Sequence, residues 1–216
     1  MLLRFGIKNH LSINDRQELS LIATKLKDQD NGLIDNPSSG DKKLLPATLI
    51  YGANASGKSN VISALQAMRS AVLFSHSKGD PESVIPYEPF ALSPNTKSRS
   101  TVFDVDFILD NVRYHYGFST TNKAFTSEWL YSFPEGTRRK LFERNDPKKV
   151  SFGGYLRGQK KVISDLMRSN SLFLSTAAQN DHEELSKISA FFRSIRFSSS
   201  ISVAGDMIDF RFSEDE

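Results

Sequence analysis

The sequence predicts an α/β fold in which a strand, a glycine-rich loop and a helix pack beside an antiparallel β meander. Residues 44–52, LLPATLIYG, form a near-continuous apolar run, which predicts a strand buried on both faces of a sheet. Residues 61–74 carry apolar side chains at helical spacing, which predicts an amphipathic helix. Residues 101–144 alternate apolar and polar side chains over several short segments, the period of half-buried strands.

The composition predicts a folded domain with a sizeable core. The 216 residues are 38% hydrophobic and 25% charged. The sequence contains no run of about 18 apolar residues, and its N-terminus lacks the layout of a signal peptide. We therefore expect a cytoplasmic protein without a membrane span. The absence of cysteine excludes disulfides and thiolate metal sites, and the four histidines lie at no ligand spacing.

The N-terminal part is predicted to begin with a β hairpin. Leu3, Phe5 and Ile7 alternate with polar residues or glycine, and a second apolar run follows at residues 18–23. Residues 25–43 are dominated by polar and turn-forming residues, which predicts a mobile surface loop. The buried strand over residues 44–52 follows that loop.

The meander is predicted to span about residues 101–144. Its first two strands are joined by a tight turn at Asp110 and Asn111, and a third and fourth strand flank the turn-forming residues 134–137. Further elements are predicted beyond it: helices over 159–168 and 181–195, a short apolar strand before Gln179, and a final strand over 206–212.

Basic residues cluster between Arg138 and Lys161. The whole chain has 28 Lys and Arg against 25 Asp and Glu, a net charge of only +3, but this segment has nine basic residues and two acidic ones. Such a segment can contact nucleic acid phosphates. It is also typical of a solvated sheet edge, because lysines protect edge strands from unwanted pairing. The nine are Arg138, Arg139, Lys140, Arg144, Lys148, Lys149, Arg157, Lys160 and Lys161.

The chemically specific motif lies at residues 52–59, GANASGKS, which match the phosphate-binding pattern G-x-x-x-x-G-K-[ST] between a predicted strand and a predicted helix. Glycines let backbone N–H groups curl around a phosphate, and the helix N-terminus adds the positive end of its dipole. Lys58 is predicted to reach the β- and γ-phosphates, and Ser59 to bind Mg²⁺. The predicted cofactor-binding residues are Gly52, Ala53, Asn54, Ala55, Ser56, Gly57, Lys58, Ser59 and Asn60. The alternative is a glycine-rich turn with a capping serine.

Residues outside the motif point to a particular class of nucleotide-binding protein. They are Asn9 and Ser12 after the first strand, Tyr51 and Asn60 on either side of the loop, and YHYGF at 114–118, followed by EWL and LFER. With these, the sequence resembles the ABC-type branch of ATPases that includes RecF-like, SMC and double-strand-break-repair proteins. It resembles more closely the AAA-type ATP-binding proteins of bacterial abortive-infection, Septu-like and retron-associated phage-defence systems. His10 and Ile13 depart from that pattern, because aromatic residues are common at these positions.

The resemblance implies a P-loop NTPase in which residues 1–216 are the first lobe of an ABC-type nucleotide-binding domain. It implies ATP and Mg²⁺ as cofactors, with Lys58 as a catalytic residue and Gln179 as the glutamine that contacts Mg²⁺ and the attacking water. For Gln179, an ordinary polar role near a helix N-terminus stays open. The signature loop, Walker B strand and switch histidine of such proteins are not found in the sequence. We therefore expect the C-terminal lobe to be absent and the chain alone to be weakly active or inactive.

The implied partners are a second ATPase subunit, in a homo-oligomer, or the missing C-terminal half, together with an effector nuclease or toxin. In that mechanism ATP binding drives dimerisation and hydrolysis releases it. Two other functions stay open. One is a non-catalytic module whose meander and basic segment bind nucleic acid or a partner protein, with a vestigial nucleotide site. The other is a small-molecule or nucleotide kinase, which is disfavoured because a long meander replaces the alternating strands and helices of such kinases.

Overall fold

A computed structural model of the chain describes residues 1–24, 32–38, 42–77, 85–93 and 95–198. Most of the predicted loop over 25–43, and the whole predicted strand over 206–212, lie outside the described residues. None of the helices in the described ranges has the length and apolarity that a membrane crossing requires.

Antiparallel strands form a single sheet. In the described residues these strands are β1 (Leu2–Lys8), β2 (Gln17–Ser20), β3 (Thr101–Leu109), β4 (Val112–Thr120), β5 (Phe125–Phe133), β6 (Arg139–Asp146) and β7 (Lys149–Phe152). Their spatial order is β2-β1-β3-β4-β5-β6-β7, so the strands from β3 onward are each paired with the next strand in sequence. The predicted hairpin and the predicted meander are confirmed. The meander extends further than expected, to Phe152.

The β3–β4 hairpin shows how local sequence determines the pairing register. Asp110 and Asn111 both have positive φ, 49° and 60°, as a two-residue hairpin turn of type I′ requires. The turn pairs Leu109 with Val112, and the ladder then continues to Thr101 and Thr120. Because side chains alternate along a strand, every second residue of β3 lies on the same face of the sheet, and Phe103, Val105 and Phe107 share one face.

Helices cover that face and form the core. They are α1 (Lys58–Phe74), α2 (Lys160–Asp165), α3 (Phe173–Gln179) and α4 (Glu183–Ser194). Phe103 and Phe107 of β3 are fully buried, and the Phe107 ring stacks on Phe191 of α4 with a centroid distance of 4.1 Å. Leu65 and Met68 of α1 join the same cluster. Full burial of one such side chain stabilises the fold by roughly 1.5–3 kcal/mol. The predicted helices α1, α2 and α4 are therefore confirmed.

The predicted short strand before Gln179 is wrong, because those residues form α3. The Glu128 carboxylate on β5 accepts hydrogen bonds from the backbone N–H groups of Phe173 (2.6 Å) and Leu174 (3.0 Å). These two groups are among the first N–H groups of the helix, which have no acceptor within the helix itself. A negative charge at this end also favours the helix dipole. The prediction of a strand rested on the local apolar pattern, which cannot reveal this long-range contact.

The predicted buried strand over residues 44–52 is also wrong. Its first residues do pair, since Leu44 forms bridges with Ile22 and Ile34. No strand is assigned from residue 46 to residue 51 in the described structure. Leu49 is 80% exposed and Tyr51 is 93% exposed. The apolar character of the run reflects a tendency to be buried, but within the described ranges no element covers these two side chains.

Candidate nucleotide-binding site

The glycine-rich loop makes a tight turn directly before α1. Ala55 and Gly57 adopt left-handed backbone conformations, with φ of 63° and 93°. The Ser56 N–H donates to the Ala53 carbonyl at 3.2 Å and closes the turn. A Cβ atom on Gly57 would lie 2.6 Å from the Ser12 hydroxyl oxygen. Both its positive φ and this close approach therefore require glycine at position 57.

Lys58 lies across the loop. Its ammonium group donates to the carbonyl oxygens of Gly52 (3.0 Å) and Ala53 (2.9 Å). These hydrogen bonds are exposed, and the lysine makes no ion pair among the described residues. The positive charge is therefore held at the concave side of the loop, where it can exchange carbonyl oxygens for phosphate oxygens.

The start of α1 supplies free backbone donors. Within the described chain, no acceptor is found for the backbone N–H groups of Gly57, Lys58 and Ser59. Gly57 is the N-cap residue and provides no side-chain cap. Uncapped N–H groups at the head of a 17-residue helix attract anions, because the positive end of the helix dipole lies there.

A cavity of about 360 Å³ lies over these donors and is lined by residues 54–60. The donor set fits a polyphosphate, and the exposed Ser59 hydroxyl on the first turn of α1 fits an Mg²⁺ ligand. The predicted residues 52–60 are thus brought together by the structure in one loop and helix start.

A second cavity, of about 520 Å³, lies beside the loop. Its walls come from the β1–β2 connection, through Ile13 and Asn14, and from Ile50, Tyr51 and Lys58. The sequence had not indicated Asn14 and Ile50 as part of the site, and it had indicated Tyr51 only through the family resemblance. No local pattern could have indicated Asn14, because this wall forms only when the hairpin folds over the loop.

His10 and Ile13 do not provide an aromatic surface for a base. Both are buried, and they pair with each other in a short bridge. The His10 ring packs edge-on against Phe103 at a centroid distance of 5.3 Å, so it belongs to the core. Burial lowers the pKa of His10, although Glu88 opposes this shift.

The two segments that carry the family resemblance meet at Ser12 and Asn60. The Asn60 side-chain amide donates to the Ser12 hydroxyl oxygen at 2.7 Å. Asn9, by contrast, has a structural role, because its side chain is buried and bonds to the backbone of Phe90, Thr96 and Arg99. Of the two N-terminal residues in the resemblance, only Ser12 contacts the loop.

The structure does not bring Gln179 to the loop. Gln179 is the exposed last residue of α3 and lines neither of the two cavities described above. The start of α3 lies at the opposite end of α1, where the N–H of its N-cap residue Leu172 donates to the hydroxyl of Ser75, the C-cap residue of α1, at 3.1 Å. A catalytic role for Gln179 stays a prediction.

Residues of the basic segment have differing environments. Arg144 is fully buried and donates to the Ser171 carbonyl at 2.6 Å, so it is not available to a phosphate. Lys160 donates to backbone carbonyls of Gly153 and Leu156. The guanidinium of Arg138 stacks on Tyr131 at 3.8 Å. Nucleic acid binding through Arg138–Lys161 stays a prediction, and Arg144 cannot contribute to it.

The fold and this loop together define a nucleotide-binding domain of the P-loop class, since a G-x-x-x-x-G-K-S loop at a helix start is the phosphate-binding arrangement of that class. Residues 47–209 match the family described as "AAA domain, putative AbiEii toxin, Type IV TA system". This match covers more than half of the chain, and the chain therefore belongs to this AAA domain family. No curated protein sequence matches the chain.

Proposed function

We propose that the protein is an ATP-binding, Mg²⁺-dependent ATPase switch and the ATPase component of a bacterial anti-phage defence system. It works as a nucleotide-driven dimer that controls an effector nuclease or toxin. The observation that carries the nucleotide part is the Lys58 ammonium held across the loop beside the uncapped start of α1. The family description, which includes a putative toxin and a toxin–antitoxin system, supports the defence part.

The residues of the loop act by position and charge. Lys58 would leave the carbonyls of Gly52 and Ala53 and hold the oxygens of the β- and γ-phosphates. The N–H groups of Gly57 to Ser59 would donate to the same polyphosphate. Ser59 would hold Mg²⁺, which neutralises charge that develops on the phosphates. Catalysis then needs no covalent intermediate, because positioning and charge neutralisation lower the barrier.

The remainder of the site comes from a further piece of polypeptide, either a second subunit or a further lobe. The exposure of Leu49 (80%) and Tyr51 (93%) directly before the loop supports this part of the proposal. Large apolar side chains next to a functional loop are typical of surfaces that are covered in an assembly. The chain alone should therefore bind nucleotide weakly and hydrolyse it poorly.

A binding titration tests the nucleotide part. Fluorescently labelled ATP is titrated with the purified chain in Mg²⁺, and we expect Lys58→Ala to weaken binding by about a hundredfold. Lys161→Ala is the matched control, because Lys161 is exposed and lines neither cavity beside the loop. Equal affinity of the Lys58→Ala variant and the unaltered chain would contradict the proposal. Ser59→Ala should reduce the contribution of Mg²⁺ while binding in EDTA is unchanged.

A second experiment separates the switch from a non-catalytic module. Cells that express the protein with its genetic neighbours are challenged with phage, with and without Lys58→Ala. Loss of protection in the variant supports the switch, whereas full protection supports a module with a vestigial site. Light scattering of the complete complex with ATP and with ADP tests the dimer, which should form only with ATP.

A further inference from the structure

A third cavity, of about 600 Å³, lies far from the nucleotide loop. It is bounded by the β3–β4 turn, by the connection between β7 and α2, and by the residues at the start of α4. Ile7, which lines the cavity beside the loop, pairs with Phe103 near the start of β3, whereas Asp110 follows the other end of that strand. Phe103 and Asp110 are seven residues apart along the strand direction, which separates the two sites by about 24 Å at roughly 3.4 Å per residue.

The cavity contains a buried hydrogen-bond donor without an acceptor. His182 is 6% exposed, and its Nδ1 atom accepts the backbone N–H of Leu185 at 3.4 Å as the N-cap of α4. Since Nδ1 is the acceptor, the proton of the neutral ring is on Nε2. Within the described chain, His182 Nε2 has no hydrogen-bond partner. Buried polar groups in native proteins are nearly always paired, so an orphaned donor that faces a cavity indicates a ligand.

Glycine keeps the space in front of this donor open. A Cβ atom on Gly158 would lie 3.2 Å from His182 Nε2. Gly158 has a φ of 91°, a conformation that disfavours any other residue. Any side chain at position 158 would therefore crowd Nε2.

The charge around the donor is mainly negative. The carboxylates in the described lining belong to Asp110, Asp181, Glu183 and Glu184, and the basic residues are Arg157 and Lys187. The Lys187 Nζ atom lies 3.9 Å from Oε1 of Glu183. Among the described residues, Asp110, Asp181 and Glu184 form no ion pair. Burial raises the pKa of Glu184, with Lys187 opposing the shift and Glu183 adding to it.

Aromatic side chains complete the walls. Tyr114 stacks on Phe107 at a centroid distance of 5.5 Å, and Tyr155 is 58% exposed. Carboxylates beside aromatic rings are the usual surroundings of a bound ammonium or guanidinium group. Such a cation cannot accept the His182 proton, so the ligand must also carry an acceptor. A polypeptide carries both groups, a basic side chain and a backbone carbonyl oxygen.

We propose that this cavity binds a basic segment of a partner polypeptide, with an arginine or lysine side chain among the carboxylates and a backbone carbonyl accepting the proton of His182 Nε2. The site is separate from the nucleotide loop and does not depend on nucleotide chemistry. It gives the protein a second recognition surface, at the opposite end of β3 from the nucleotide loop.

Fluorescence anisotropy tests the proposal with the full chain. The probe is a labelled acetyl-Gly-Arg-Gly-Arg-Gly-amide peptide, and the comparison peptide has citrulline in place of each arginine. We expect binding of the arginine peptide and at least about tenfold weaker binding of the citrulline peptide. Absence of binding by the arginine peptide, or equal binding of both peptides, would overturn the proposal.

Variants locate the binding in the cavity. Asp110→Asn with Glu184→Gln should weaken binding by about tenfold, because both changes remove a charge and keep the shape. Glu135→Gln with Asp165→Asn is the matched control, since both residues are exposed and neither lines the cavity. An equal loss in the control would contradict the assignment of binding to this cavity.

A further variant distinguishes binding of a peptide from binding of a free polycation. His182→Asn keeps an N-cap acceptor for α4 but removes the Nε2 donor. It should weaken binding of the arginine peptide several-fold and leave spermidine binding unchanged, because spermidine has no carbonyl group. If spermidine competes as strongly as the peptide and His182→Asn has no effect, the peptide proposal is wrong.

Discussion

The Asn60 amide donates to the Ser12 hydroxyl across 2.7 Å and joins the N-terminal hairpin to the first turn of α1. The two residues are 48 positions apart in sequence. Through this contact the β1–β2 connection lies directly against the phosphate loop. Because Gly57 also packs on Ser12, the hairpin supports the loop at two points.

A double-mutant cycle measures that contact. Ser12→Ala and Asn60→Ala should each weaken ATP binding by about fivefold, the equivalent of about 1 kcal/mol. Since both remove the same hydrogen bond, the double variant should lose little more than either single variant. Fully additive losses would show that the two side chains act independently. Ser164→Ala is the control, because this half-buried serine of α2 lines neither cavity beside the loop.

Gly57→Ala should damage the loop without damaging the fold. The added Cβ would lie 2.6 Å from the Ser12 hydroxyl oxygen, and alanine disfavours a φ of 93°. We expect a cost of at least about 1 kcal/mol and a large loss of ATP affinity. Gly154→Ala is the matched control, because no atom lies within 4 Å of its added Cβ. Unchanged ATP affinity in Gly57→Ala would argue against this loop geometry.

Leu49→Ser with Tyr51→Ser tests whether the apolar run before the loop is outside the core. Both side chains are more than three-quarters exposed, so the free energy of unfolding of the chain alone should change by less than about 0.5 kcal/mol. Leu65→Ala, by contrast, should cost about 3 kcal/mol, since Leu65 is 1% exposed. Urea denaturation measures both. If the double serine variant unfolds as easily as Leu65→Ala, residues 49 and 51 are core residues.

Glu128 and Arg144 form a fully buried pair with an N–O distance of 3.7 Å, and Glu128 also accepts the Tyr116 hydroxyl. Glu128→Gln should cost about 3–5 kcal/mol, because it leaves the Arg144 charge buried without a counter-ion. Adding Arg144→Met should restore part of the loss. Glu183→Gln, at a 92% exposed side chain, should cost less than about 0.5 kcal/mol. Urea titrations compare the three, and a loss below 1 kcal/mol in Glu128→Gln would contradict the role of the pair.

Asp106 should make the free energy of unfolding decrease as the pH becomes acidic. Burial favours the neutral carboxyl, but hydrogen bonds and charges of His115 and Arg4 reverse this and lower the pKa of Asp106 below its usual value. Arg113 donates to the same carboxylate at 3.0 Å. A lowered pKa in the folded state stabilises the protein above the unfolded pKa of about 4, and this contribution is lost as the pH falls below that value.

Asp106→Asn should therefore lose roughly 2 kcal/mol of stability at pH 7 and show a shallower decline between pH 5 and 2. Urea denaturation across that pH range makes the measurement. Asp35→Asn serves as the control, since Asp35 is exposed. A variant whose acid decline is as steep as that of the unaltered chain would mean that Asp106 is not the group responsible.

Elements that are specified by residues close together in the sequence were predicted correctly. The turn residues Asp110 and Asn111 specify their hairpin, and the apolar spacing from Val61 specifies α1. The pattern G-x-x-x-x-G-K-S likewise identifies the loop without any knowledge of its neighbours.

Elements whose state depends on distant partners were missed or misjudged. The helix α3 forms where the Glu128 carboxylate meets its first N–H groups, so its sequence alone resembles a strand. The run over residues 44–52 is apolar enough for a buried strand, but apolarity does not specify which segment will cover it. The environment of His182 depends on Gly158, which belongs to another part of the chain.

The strand order also has a consequence for how the chain folds during synthesis. Strands β3 to β7 pair as successive hairpins, and each can close soon after it leaves the ribosome. β1 emerges first, but its ladder partner β3 begins only at Thr101. At roughly 5–20 residues per second, the N-terminal strand waits for several seconds before that ladder can form. The phosphate loop, which lies between the two strands in sequence, gains its final neighbours only when this least local pairing closes.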